Sequence, residues 1–162
     1  MKIAVLGAGA MGSLYGGMLA RAGCDVVLID VWRDQVDALN ESGLIIEETG
    51  GPIEVRGVRA VASADEAGVS DLVIVFVKAT ATEDAMRGAL SLIGCDTAVL
   101  TLQNGLGNVE KLCRVLPESR VIAGTTGHGA TLLGPGRIRH AGVGDTIIGE
   151  LDGSKSKRIE SL

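Results

Sequence analysis

The run Lys2-Ile3-Ala4-Val5-Leu6 feeds directly into Gly7-Ala8-Gly9-Ala10-Met11-Gly12. Behind the glycines come Met11, Leu14, Tyr15, Met18, Leu19 and Ala22, spaced by threes and fours until Gly23. An apolar strand, a glycine turn and an amphipathic helix in that order leave few folds open. G-x-G-x-x-G in this setting is a dinucleotide fingerprint. Gly7 makes the tight turn, Gly9 lets a pyrophosphate approach the backbone, and Gly12 lets the helix pack closely on the sheet. The helix amino terminus then faces the anion. Gly7, Ala8, Gly9, Ala10, Met11 and Gly12 are therefore cofactor-binding candidates. A second strand, Asp25 to Ile29, ends at Asp30. That is about 20 residues past the glycines, where a carboxylate accepts hydrogen bonds from the adenosine ribose. Asp30 argues for NAD because it repels a 2′-phosphate. Arg33, three residues on, could pair with that phosphate and keeps NADP open.

Strand and helix patterns continue to alternate. Trp32 to Asn40 reads as a helix stopped by Gly43. Leu44 to Glu47 and Ile53 to Val58 read as short strands joined across Thr49-Gly50-Gly51-Pro52. Ser63 caps a helical turn ahead of Asp71. Leu72 to Val77 is continuously apolar, as a parallel strand covered on both faces should be. A helix over Thr82 to Ile93, a strand over Thr97 to Leu102 and a helix over Asn108 to Leu116 follow. Beyond Arg120 the pattern changes. Arg120 to Leu133 and Arg137 to Ala141 flank Gly134-Pro135-Gly136, and Thr146 to Ile148 is one more strand. The expected fold is α/β: a Rossmann-type, doubly wound, mostly parallel sheet with an antiparallel β extension near the carboxyl terminus. Residues 1–152 form this NAD(P)-binding domain. Residues 153–162 start a helix that leads to a C-terminal helical domain outside the chain.

With 162 residues the chain can bury one core, and its net charge of −5 with three aromatic residues offers no basic stripe or stacking platform for nucleic acid. No apolar run approaches a membrane span. The amino terminus reads as a folded strand rather than a signal peptide, and Cys24, Cys95 and Cys113 lack metal-ligand spacing. The expectation is a reduced, cytoplasmic protein with structural cysteines and no metal. Glu47-Glu48 and Asp65-Glu66 read as solvated loop charges.

Two further segments fall at the carboxyl ends of predicted strands, where ligands bind in such sheets. Lys78 follows the apolar strand in Val77-Lys78-Ala79-Thr80, so its ammonium emerges at the rim of the crevice. Asn104 lies in Gln103-Asn104-Gly105-Leu106-Gly107, and its amide can both donate and accept. Gly107 and Asn108 serve the turn and the helix cap. His128 and His140 are candidates for proton transfer only in the sense that any histidine is. The glycines around His128 favour close backbone approach over acid–base chemistry there.

Taken in order, Gly7 to Gly12, Val77-Lys78-Ala79, Gln103 to Gly107, Gly124-Thr125-Thr126-Gly127-His128-Gly129-Ala130 and the His140 to Gly149 stretch resemble the N-terminal domain of ketopantoate reductases (2-dehydropantoate 2-reductases). The resemblance covers nearly the whole chain. It implies an NAD(P)H-dependent reduction of 2-dehydropantoate to pantoate, in pantothenate biosynthesis. It implies supporting catalytic roles for Lys78 and Asn104 near the nicotinamide, and a cofactor contact through the backbone of Ala130. It also implies a small-molecule 2-keto acid substrate, a proton-donating lysine in the C-terminal domain, and a homodimer through that domain. Many members place a basic residue where this chain has Asp30, so the family favours NADP and Asp30 favours NAD. Two other readings stay open: a reductase for another 2-keto acid or an opine, and a stand-alone, non-catalytic dinucleotide-binding module.

Overall fold

The computed structural model describes residues 1–162. Parallel strands β1 (Lys2–Leu6), β2 (Asp25–Ile29), β5 (Arg59–Val61), β6 (Ser70–Val75), β7 (Ile93–Thr101) and β8 (Val121–Thr126) form one sheet, closed at an edge by antiparallel β11 (Thr146–Glu150). Its order is β11-β8-β7-β6-β1-β2-β5, a doubly wound arrangement whose direction of winding changes beside β1. A second sheet, in the order β4-β3-β10-β9, joins the hairpin β3 (Leu44–Glu47) and β4 (Ile53–Val55) to the hairpin β9 (Gly129–Gly134) and β10 (Arg137–Gly142). The helices are α1 (Ala10–Arg21), α2 (Arg33–Ser42), α3 (Thr82–Arg87), α4 (Asn108–Cys113) and α5 (Lys157–Glu160).

Successive residues of β1 enter opposite cores. Ile3 and Val5 pack with Leu28, Leu44, Ile46 and Ile138 on the side of the second sheet. Ala4 and Leu6 pack with Val73, Met86, Leu92 and Leu112 on the side of α3 and α4. Burial on both faces is the physical reason the central strands read as unbroken apolar runs.

Helix α1 is clasped between the two sheets. A Cβ on Gly16 would lie 2.4 Å from Leu28 Cδ2 of the main sheet, and one on Gly17 would lie 2.5 Å from Leu44 Cδ2 of the second. Adjacent glycines thus face opposite layers, and a Cβ at either would require a buried leucine methyl to shift.

The doubly wound expectation holds, with four local revisions. The segment Ile53 to Val58 is not one strand. Gly57 has φ +73°, and beyond it Arg59–Val61 pairs with β2 as the edge of the main sheet. The helix expected over Thr82 to Ile93 stops at Arg87, where Gly88 caps it, and Ile93 already belongs to β7. Helix α4 ends at Cys113, short of Leu116. The carboxyl-terminal strands divide. β11 extends the main sheet antiparallel, whereas β9 and β10 cross to the second sheet, where β10 runs parallel to β3. Ser156 caps α5 by accepting from Ile159 N–H, and Glu150 of β11 holds that helix through Arg158 and Ser156.

Candidate functional site

The carboxyl ends of β1, β2, β6 and β7 deliver Gly7, Asp30, Val77-Lys78 and Gln103-Asn104 to one edge of the main sheet. Gly7 turns with φ +101°, its N–H donates to Ile29 carbonyl at 2.8 Å, and a Cβ there would meet Val77 N at 2.8 Å. Gly12 is needed inside the loop itself, because a Cβ would lie 1.8 Å from the Gly7 carbonyl oxygen. Close approach of helix to turn, more than helix to sheet, therefore demands this glycine. Gly9 differs from both. Its φ is −66°, open to any residue, and its Cβ position meets no protein atom within 4 Å. Neither backbone strain nor internal packing asks for glycine at 9. The bare backbone leaves open space before the amino terminus of α1, which carries no acidic residue in its first turn. That is the cradle a pyrophosphate fits.

The loop separates two hollows. One, of about 360 Å³, is lined by Gly7, Asp30, Val31, Ser63, Val77 and Ala85 among others. Asp30 is fixed there: Oδ2 accepts from Ala8 N–H at 2.7 Å and Oδ1 from Trp32 N–H at 3.0 Å. Arg33 stands exposed on the first turn of α2 and does not line this hollow. The other hollow, of about 330 Å³, brings together Met11, Lys78, Asn104, His128 and Ala130. Residues from four separate segments meet there.

Polar residues beneath this second hollow hold its walls in register. Gln103 Nε2 donates to Val77 carbonyl at 2.5 Å and to Thr82 Oγ1 at 2.9 Å. Asn108 Nδ2 reaches the carbonyls of Asn104 and Gly105, both at 3.2 Å, and Lys111 Nζ donates to Ala79 carbonyl at 2.6 Å. Gln35, fully buried, donates to Ala8 carbonyl at 2.8 Å and to Ser13 Oγ, and accepts from Gly136 N–H at 2.8 Å. It ties the glycine loop to the β9–β10 turn. The sequence singled out neither Gln35 nor Thr82, and offered Gln103 only as part of a motif, with no role of its own. A glutamine at an inward helical position beside Val36 and Leu39 was the available signal for the first.

Glu47 and Glu48 are not solvated loop charges, contrary to expectation. Glu47 pairs with Arg137 at 2.6 Å and Arg139 at 3.1 Å, and their hydrogen bonds hold its carboxyl below the usual glutamate range. β10 lies parallel to β3 and presents both arginines on that side. Glu48 meets His140 Nδ1 at 2.9 Å, and His140 Nε2 meets His128 Nδ1 at 3.0 Å. Sequence separations of about 90 residues in such pairs hide them from any local pattern. Burial raises the Cys113 thiol, with Glu118 and Glu110 adding to the effect, so it is held away from the thiolate form. No group of three or more His, Cys, Asp or Glu side chains is placed to hold a metal ion. No helix is long and apolar enough to cross a membrane.

The winding, the glycine cradle and the two hollows at the carboxyl edge define a dinucleotide-binding α/β domain. Residues 3–153 match the family model described as ketopantoate reductase PanE/ApbA, and the chain belongs to that family. It is 38% identical over 165 residues to a 2-dehydropantoate 2-reductase of Halobacterium salinarum, covering all of this chain and 53% of that protein. It is 40% identical over 163 residues to the one of Pyrococcus horikoshii, covering 52% of that protein. Among solved structures, a 2-dehydropantoate 2-reductase from Geobacter metallireducens superposes with TM-score 0.91 at 34% identity, over 99% of this chain and 53% of that one. A ternary structure of D-mandelate dehydrogenase with NADH and anilino(oxo)acetate superposes with TM-score 0.88 at 35% identity, over 99% and 51% respectively. The chain spans about half the length of the curated relatives it matches.

Proposed function

We propose that this chain is the cofactor-binding half of an NAD(P)H-dependent 2-keto acid reductase, with 2-dehydropantoate as substrate and pantoate as product. The convergence of Lys78, Asn104 and Ala130 beside the glycine cradle carries the reading. Residues 7–12 would hold the pyrophosphate, Asp30 the adenosine ribose, and Lys78, Asn104 and Ala130 the nicotinamide end. A reduced nicotinamide bound there supplies the hydride equivalent. The chain's own part is to hold and orient. Hydrogen bonds through Gln103 and Asn108 keep the Lys78 and Asn104 loops at a set separation, so that cofactor and keto carbon share one hollow. The Lys78 ammonium and the Asn104 amide are suited to donate to a carboxylate or a developing alkoxide. The carboxylate of Asp30, already ordered by two amides, favours NADH. Arg33 would be the alternative partner of an NADPH phosphate.

Residues 1–152 would act as the binding unit. Residues 153–162, including α5, would lead into a helical domain that supplies the proton-donating lysine and a homodimer contact. A cytoplasmic location accords with the biosynthetic role.

A second substrate class is favoured by one finding, the likeness to a D-mandelate dehydrogenase that binds NADH. The test is turnover by protein from the complete reading frame, with 2-dehydropantoate or phenylglyoxylate and with NADH or NADPH, followed by loss of reduced-cofactor absorbance. Faster loss with 2-dehydropantoate supports the first reading, and faster loss with phenylglyoxylate replaces it with the second. Cofactor binding without turnover of any 2-keto acid would make the protein a binding module.

A further inference from the structure

We infer that Glu48, His140 and His128 form a proton-holding relay, whose inner end presents either a lone pair or an N–H to the Lys78–Asn104 hollow. The inference rests on the reading of that hollow as the substrate site for what the proton serves, but the relay itself is defined by geometry. A carboxylate only accepts, so the 2.9 Å contact with Glu48 requires a proton on His140 Nδ1. When His140 is neutral its Nε2 is bare and must accept across the 3.0 Å contact, which requires the His128 proton to sit on Nδ1. His128 Nε2 is then a bare acceptor. Three residues far apart in sequence thereby determine one tautomer at the wall of the hollow.

A proton added at His128 Nε2 completes the cycle. The Nδ1 proton of His128 passes to His140 Nε2, and His140 becomes the cation, with its side chain 5% exposed and Glu48 beside it. His128 stays neutral and now offers Nε2–H. On release, Nε2–H gives its proton to an oxygen in the hollow and His128 Nδ1 takes the proton back from His140 Nε2. One proton enters and leaves by the same atom, no electrons move, and the positive charge is stored one ring away from the reacting oxygen. His128 lines the Lys78–Asn104 hollow and, with His140, a second hollow of about 240 Å³ walled by Leu14, Tyr15, Met18 and Leu19. Glu48 and His140 act through His128 as positioning residues.

The surroundings suit this use. From α1, Tyr15 sets its ring edge-on to His128 at 6.0 Å, while its hydroxyl bonds Thr126 Oγ1 at 2.6 Å and Thr146 Oγ1 at 2.5 Å. From β3, Glu47 is neutralised by Arg137 and Arg139 of β10. Arg139 shares a surface hollow of about 390 Å³ with Glu48 and His140. Asp145 is held to Gly127, next to His128, through its backbone carbonyl. Lys78 lines the same inner hollow as His128. Among these groups, only Glu48 contacts His140 as an unneutralised opposite charge.

The test needs neither cofactor nor substrate, so it separates this inference from the reductase reading. Protein from the complete reading frame, labelled with 15N-histidine, is examined by long-range 1H–15N correlation from about pH 5 to 9. Signals are assigned with His128→Gln and His140→Phe variants. In the neutral form both rings should carry the proton on Nδ1. Glu48→Leu removes the acceptor at His140 Nδ1 and should let the neutral His140 proton populate Nε2. His140→Phe keeps a ring in place and should release His128 to the Nε2–H form. A neutral His128 with its proton on Nε2 in the unmodified protein, or a neutral His140 proton held wholly on Nδ1 in Glu48→Leu, overturns the relay.

Discussion

At the scale of single residues, the glycine loop contains two glycines with opposite obligations. Gly12 is demanded by the protein, since a Cβ would lie 1.8 Å from the Gly7 oxygen. Gly12→Ala should therefore cost about 3 kcal/mol of stability in urea denaturation. Nothing within the protein demands Gly9, since its Cβ position is open. Gly9→Ala should leave stability within about 0.5 kcal/mol yet weaken NADH binding about tenfold, read by fluorescence titration of the reduced cofactor. Equal affinity in that variant would show that nothing approaches the loop there. Asp30→Ala should raise the NADPH-to-NADH affinity ratio about tenfold. The ratio is the proper measurement, because losing the acceptor for Ala8 and Trp32 N–H loosens the loop for both cofactors alike. An unchanged ratio would remove Asp30 from cofactor choice. The fingerprint glycines and Asp30 were legible in the sequence because each acts through local backbone geometry. The Glu48–His140–His128 chain was not, because a strand pairing across the molecule creates it.

Elements are joined here by buried polar groups rather than by apolar contact alone. Gln35 projects from α2 and bonds α1, the glycine loop and the β9–β10 turn together. Gln35→Leu keeps the volume but leaves Ala8 carbonyl and Gly136 N–H without that partner. It should cost about 1–3 kcal/mol. Hydrogen exchange should quicken at Gly136 and at Ser13 more than in β6 or β7. Uniform exchange throughout would mean the glutamine is only a space filler. Strands β6 and β7 were readable as apolar runs because both of their faces are covered. β5 escaped notice because three residues, one of them an exposed arginine, carry no periodicity, and pairing with β2 alone makes them a strand.

Across the whole molecule, acidification should loosen the fold through its paired carboxylates. Hydrogen bonds from Arg137 and Arg139 depress Glu47, those from Arg87 and Arg114 depress Glu83, and Arg158 depresses Glu150, each below the ordinary value of 4.5. A carboxyl with a lowered folded value stabilises the fold above its unfolded value, and that contribution is lost as pH falls through the folded one. The contribution of these three carboxyls should thus be constant above about pH 5 and decline below the ordinary glutamate value. Glu47 and Glu83 sit on the surface and should contribute little of this slope. Glu150 is 10% exposed and joins β11 to α5 through Arg158. Glu150→Gln should flatten the acid limb of thermal melts and free α5 to exchange its amides. An unaltered acid limb would assign the slope to other carboxyls.

What the sequence by itself determined is the element order of the first βαβ unit, the two-sided burial of the central strands, and the glycine and carboxylate positions at the strand ends. All of these follow from local sterics and from hydrophobic pattern, which act over a few residues. Tertiary structure decided the rest. It sent β9 and β10 across to β3, clasped α1 between two sheets, placed Lys78, Asn104, Ala130 and His128 around one hollow, and set His140 against His128. Those arrangements depend on contacts between segments tens of residues apart, whose free energy exists only once the chain has closed on itself.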